Sequence, residues 1–228
     1  ETGQISVTMF GVTQTFDNVA GIQIDDMGDG NDAVYIAPGV TTEVEVHFGD
    51  GEDMLTNDGA AAVIAFGDEG DDYLKGGNGN DSLSGGPGDD VIDGGGGRDS
   101  MFGGPDADQF VVKIADLTLS ETIDGEANVD QIIIVGDASA QDLRVTMDGD
   151  YVVKISSYSS SVETGSVTLN EVETISLSGG EGADHFSVSG ELDLGGVSGV
   201  AVDMGKFIMR ELTYRGSTFQ TCHFQRCV

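Results

Sequence analysis

The chain has 228 residues and a formal net charge of −32, with 36 glycines, no tryptophan and 7% aromatics. That length suits one or two domains, and so few large side chains exclude a thick, interlocked core. The acidity argues against nucleic acid or anionic membrane as a partner, since both select a basic footprint.

No apolar run approaches the roughly 18 residues of a membrane-spanning helix, so no membrane span is expected. Both cysteines, Cys222 and Cys227, fall at the end of the chain, so a disulfide framework does not hold the fold. The sequence opens Glu1-Thr2-Gly3 rather than with Met, and no signal peptide precedes the first repeat. It reads as an excised portion of something larger.

Residues 4–66 contain two loose copies of one pattern, Gly28-Asp29-Gly30-Asn31-Asp32-Ala33-Val34 and Gly49-Asp50-Gly51-Glu52-Asp53-Met54-Leu55. Short alternating runs, Ile22-Gln23-Ile24 and Val44-Glu45-Val46, supply strands. Residues 67–111 then repeat in strict nines: GDEGDDYLK, GGNGNDSLS, GGPGDDVID, GGGGRDSMF, GGPDADQFV. Glycine holds positions one, two and four, aspartate position six, and a large apolar residue position eight. The exceptions are Asp68 at position two and Asp106 at position four. A fixed period of this kind marks a solenoid.

The glycines permit positive φ and close backbone approach, so six residues can make a tight turn with inward-facing carbonyls. The last three residues make a short strand with one inward side chain, Leu74, Leu83, Ile92, Met101 or Phe110. Two nonapeptides make one coil. Asp72, Asp90 and Asp108 therefore stack on one side, and Asp81 and Asp99 on the other. Asp32 and Asp53 extend the first column, being 21 residues apart and 19 before Asp72. On the second column Ala62, before Ile64, takes the aspartate place, so cations are expected along one side of this stretch and plain stacking on the other.

Aspartates stacked at about 4.8 Å repel unless a cation sits between them. Calcium accepts six to eight oxygens, main-chain carbonyls included, in forgiving geometry; magnesium demands a stricter octahedron. A flexible Gly/Asp linker would not place an apolar residue at every ninth position.

From residue 112 the glycines thin out. Ile132–Val135, Leu143–Met147, Tyr151–Ile155, Ser166–Leu169 and Glu173–Leu177 read as strands, with Asp148-Gly149-Asp150 as a hairpin turn. Two echoes of the repeat remain, Gly125–Ile133 with Asp130 in phase, and Gly179–Ser187 with Asp184. This region is either a continuing solenoid or a sandwich-like β partner. Residues 205–228 carry four of the nine basic residues and suit a helix or amphipathic strand capping the open end. The domain expectation is thus 1–111, 112–204 and a tail at 205–228.

The nonapeptides of residues 67–111 resemble the RTX (repeats-in-toxin, hemolysin-type) calcium-binding β-roll family. GGNGNDSLS and GGPGDDVID match its repeat without exception. The resemblance implies an all-β, parallel β-roll or β-solenoid with glycine-rich calcium-binding turns, continuing here into a second β-rich region. It also implies several Ca²⁺ ions, each held between turns one coil apart. The ligands it implies are the carboxylates of Asp32, Asp53, Asp72, Asp81, Asp90, Asp99, Asp108 and Asp184. Main-chain carbonyls complete the set, from Gly76, Asn78, Gly79, Gly85, Gly86, Gly88, Gly94, Gly95, Gly97 and Gly103.

No enzyme is expected. The H-E-x-x-H, G-x-S-x-G and phosphate-binding Gly-Lys-Ser signatures are absent from the sequence; Ser198 lies in GGVSG, but the fifth residue of its nucleophile frame is Val200, where the elbow needs glycine. His47, His185 and His223 are scattered, and Cys222 with His223 makes an incomplete zinc set. Asp71-Asp72 and Asp89-Asp90 are turn-surface residue plus ligand rather than an acid–base pair. Asn80-Asp81-Ser82 fits an N-glycosylation acceptor, but inside a calcium turn. The third position reads Glu69, Asn78, Pro87, Gly96 and Pro105, so the threonine array of ice-binding relatives is missing.

The expected function is a calcium-stiffened spacer or adhesive region of a secreted or cell-surface protein, with calcium ions and surface or matrix components as partners. The alternative is the carboxy-terminal carrier of an exported hydrolase or toxin. Glycan binding by 112–204 is a third option.

Overall fold

The computed structural model describes residues 4–9, 12–17, 19–117, 119–137, 142–147, 153–159, 162–172, 174–178, 185–189, 199–203 and 208–212. Every regular element among them is a strand. Gln4–Met9 and Val12–Asp17 form an antiparallel pair of their own. The remaining strands build two long sheets.

The first sheet has eight parallel strands: Ala33–Ile36, Met54–Asn57, Tyr73–Lys75, Val91–Asp93, Gln109–Lys113, Gln131–Val135, Thr174–Ser178 and Gly199–Asp203. The second runs Ile22–Ile24, Val44–Asp50, Val63–Glu69, Ser82–Ser84, Ser100–Gly104, Ser120–Glu126 and Val162–Asn170, all parallel. The chain alternates between the sheets, one strand in each per coil. A parallel β-solenoid of the β-roll kind results, because alternating strands can pair in parallel only by coiling in one direction.

The core is as thin as the composition requires. Pairing stacks Leu55, Leu74, Ile92, Phe110, Ile132 and Ile175 in one column. Val46, Ala65, Leu83, Met101, Ile123 and Leu169 form the facing column. All of these side chains are buried. Each coil thus contributes one inward residue per sheet in the regular repeats, and longer strands such as Val44–Asp50 contribute more, Phe48 among them.

One expectation is corrected here. The aspartate place before Ile64 belongs to Val63, not Ala62, and the inward residue is Ala65, opposite Leu83. Ile64 faces outward and is half-buried. A register error of one residue exchanges the faces, and Ile64 is the more hydrophobic decoy.

Past residue 112 both sheets continue, and the second acquires an insertion. Val153–Ser159 pairs antiparallel with Val162–Asn170 and with Asp142–Met147, after which His185–Ser189 and Ile208–Leu212 resume parallel pairing. Met147 lies opposite Val153, as a hairpin requires, although the Asp148-Gly149-Asp150 turn itself falls outside the described residues. So do Asp184, Cys222 and Cys227. Of residues 205–228 the structure describes Ile208–Leu212, which is a strand.

Candidate metal centre

Each glycine-rich turn delivers its position-six aspartate into the interior at the start of a strand. Asp53, Asp72, Asp81, Asp90, Asp99 and Asp108 are all buried. In the first column, each backbone N–H donates to the Oδ1 of the aspartate one coil on. Asp32 donates to Asp53 (2.6 Å), Asp53 to Asp72 (2.7 Å), Asp72 to Asp90 (2.8 Å), Asp90 to Asp108 (2.9 Å) and Asp108 to Asp130 (2.9 Å). The second column is shorter: Val63 donates to Asp81 (2.7 Å) and Asp81 to Asp99 (2.9 Å). Asp32, beside the edge strand, is only half-buried.

The second oxygen of each carboxylate is the informative one. Oδ2 of Asp53, Asp72, Asp81, Asp90, Asp99 and Asp108 is buried with no hydrogen-bond partner. A lone buried acceptor is costly, and an ionised one more so. Burial accordingly pushes Asp81 and Asp90 up to about 8, Asp108 to about 7, and Asp72 and Asp99 to about 6, against the hydrogen bond that each accepts.

The position-one glycines make room for these oxygens. A Cβ on Gly67, Gly76, Gly85 or Gly103 would overlap Oδ2 of Asp72, Asp81, Asp90 or Asp108, and on Gly94 it would lie 2.8 Å from that of Asp99. The same Cβ on Gly67 would sit 2.5 Å from Gly85 O, and on Gly76 2.7 Å from Gly94 O. Carboxylate oxygen and next-coil carbonyl therefore border one small space. Turn N–H groups are used between coils, as in Gly76 to Asp93 O and Gly85 to Phe102 O, both 2.9 Å.

Backbone stacks directly on backbone at the other glycines. A Cβ on Gly79, Gly86, Gly88, Gly95 or Gly97 would overlap the carbonyl of Ala61, Asp68, Gly70, Gly77 or Gly79 one coil back. Asn78 donates its N–H to Gly59 O (3.1 Å). The two departures from the repeat keep a positive φ: Asp68 has 72° where Gly86 has 114°, and Asp106 has 84° where Gly88 has 141°. Aspartate is among the residues that tolerate this region.

The result is a row of pockets bordered by acceptors, which is chemistry for a hard cation. Among the described residues no three Asp, Glu, His or Cys side chains converge on a point. An ion here would be held by carboxylates from neighbouring turns and by main-chain carbonyls, which calcium accepts. The residues present fit that ion.

In the preceding turn on the second column a side-chain amide meets the acceptors instead. Val63 replaces the aspartate, and Asn57 stands where Gly76 stands one coil later. Fully buried Asn57 donates from Nδ2 to Gly76 O (2.5 Å) and Ala61 O (3.1 Å), and its Oδ1 accepts from Gly59 N–H (2.8 Å). A neutral amide thus satisfies the carbonyls. The sequence alone does not reveal the compensating pair Asn57/Val63, because neither residue breaks a strand pattern.

Two acidic residues were also missed as site members. The sequence shows Asp130 only as an echo of the repeat, yet it accepts the Asp108 N–H and carries the first column's ladder one coil further. Glu121 stands outside every nonapeptide frame. It lies opposite Asp99, 22 residues on, in a coil that has lost its glycine motif. An acid two residues before an apolar Ile123 was the available signal. His47 is a surface residue stacked on Phe66 (centroids 4.3 Å) between Glu45 and Asp68.

Fold and turns together define a parallel β-roll whose coils are arranged for cations. Residues 66–101 and 75–110 match the RTX calcium-binding nonapeptide repeat model, in four copies. That stretch therefore consists of RTX calcium-binding nonapeptide repeats. No curated protein matches the chain. Among solved structures, it is similar to the solution structure of the AlgE6R3 subunit from the Azotobacter vinelandii mannuronan C5-epimerase. That likeness has 22% identity and a TM-score of 0.33 over 62% of this chain and 71% of that one.

Proposed function

We propose that the chain is a calcium-dependent folding module of a secreted or cell-surface protein, serving as a spacer or adhesive segment that stiffens when several ions bind. The observation that carries this reading is the series of buried carboxylate oxygens without partners. Asp72, Asp90 and Asp108 on one side, and Asp81 and Asp99 on the other, are the side-chain ligands. The turn carbonyls of residues 76–79, 85–88, 94–97 and 103 complete the shells, and Asp53 and Asp32 extend the first side. Asp184 belongs to the same set on its sequence frame alone.

Without cations, ionising these buried acids costs more than a domain's whole stability of about 5–15 kcal/mol, at several kcal/mol each. Binding supplies the missing free energy. An affinity of about 10⁻⁴–10⁻³ M, as in extracellular modules, would leave the chain unfolded at low cytosolic calcium and folded outside. The parallel sheets running through residue 203 suit a rod-like spacer.

The test is a calcium titration of the metal-stripped chain, followed by far-UV circular dichroism and calorimetry, with magnesium as control. A cooperative gain of β signal with several ions bound, absent with magnesium, is expected. Full β signal in chelator with no binding heat would sink the reading.

A further inference from the structure

The ladder on the second column does not end at Asp99, the last aspartate of its nonapeptides. Pairing of Ser100 with Thr122 puts Glu121 directly beyond it, and Thr122 donates its N–H to Asp99 O (3.0 Å). Glu121 is 2% exposed, and its Oε1 is buried with no hydrogen-bond partner. Aspartates elsewhere in the column bond the preceding N–H; Glu121, one methylene longer, makes no such bond to Asp99.

Its surroundings are acidic. Asp99, Asp116 and Asp93 all oppose its charge; of the lysines near Asp93, Lys113 is paired with it and Lys75 with Asp58. The turn at 114–117 closes on itself, Asp116 N–H donating to Lys113 O (2.9 Å) and Leu117 N–H to Ile114 O (3.2 Å). It packs on the glycine turn before it, with Asp116 Cβ 3.9 Å from where a Cβ on Gly96 would be. A buried carboxylate oxygen with no donor, in the field of three other acids, is costly to ionise unless something positive is beside it.

We propose that Glu121 and Asp99, with main-chain carbonyls of the 94–99 turn, hold one further calcium ion outside the nonapeptide repeats. Asp116 and Asp93 contribute field rather than ligands. The longer Glu side chain spans the coil in which the glycine turn has been replaced by the 114–117 turn. This inference rests on the calcium reading above, and its test separates the two.

Native mass spectrometry of the calcium-saturated chain counts ions in the wild type and in Glu121→Gln, with circular dichroism checking that β signal is kept. One ion fewer in E121Q is the expected result. An unchanged count overturns the inference while leaving the calcium reading intact, and means that Glu121 is buried as the neutral acid. A wild type that binds no ion overturns both. Should E121Q fail to fold, anomalous diffraction from calcium-loaded wild-type crystals decides. A peak at about 2.3–2.6 Å from the Glu121 carboxylate supports the site; peaks at the nonapeptide turns with none here refute it.

Discussion

Replacing Asp90 by Asn should stabilise the metal-free fold and destabilise the calcium-loaded one. Asp90 has a folded pKa of about 8, raised by burial, against about 3.9 in an unfolded chain. At pH 7 its burial costs the metal-free fold about 4 kcal/mol, at about 1.4 kcal/mol for each pH unit between 3.9 and 7. An amide avoids that cost. Its Oδ1 still accepts the Asp72 N–H, and Nδ2 enters a pocket bordered by carbonyls, as Asn57 already does at 2.5 Å from Gly76 O. A gain of about 2–4 kcal/mol without calcium is therefore expected. With calcium, loss of a charged ligand should cost about 3 kcal/mol, the order of breaking a buried ionic pair. The assay is folding at pH 7 followed by circular dichroism. Trimethylamine oxide titration drives the metal-free chains into the fold, and urea unfolds the calcium-loaded ones. D90N should need less osmolyte and less urea than wild type. Destabilisation under both conditions would show that the buried carboxylate is structural in its own right, refuting the reasoning.

The metal-free fold should weaken as pH rises. Asp72, Asp81, Asp90, Asp99 and Asp108 have folded pKa values above their unfolded ones, so their stabilisation is complete below about pH 4 and is lost as pH climbs through 6 to 8. With calcium the trend inverts, because protons compete for the ligands; denaturation midpoints at pH 5.5 and 8, with and without calcium, check both slopes. Gly85→Ala puts a methyl group on Asp90 Oδ2 and should cost about 1–3 kcal/mol of overpacking with a weaker calcium response in titration calorimetry. Asn57→Ala strands Gly76 O, Ala61 O and the Gly59 N–H. It should cost about 2–4 kcal/mol, and adding calcium should not restore the loss in urea unfolding.

The sequence by itself determined the coil. A period of nine with one apolar and one acidic residue per repeat admits few solutions, and Asp72, Asp81, Asp90, Asp99 and Asp108 stand where the spacing placed them. Glycine at position one was legible as a need for room, though not what the room was for. Tertiary structure alone decided how the columns continue past the nonapeptides, because there the spacing stretches to 22 residues and the motif dissolves. Glu121 and Asp130 join the columns through strand pairing, and Val63 displaces Ala62 through a one-residue register that hydrophobicity misjudged. Asn57 acquires its role only when coiling carries Gly76 O to its amide. Periodicity encodes what each coil repeats with its neighbour; hydrogen bonds between coils decide what happens where the repeat stops.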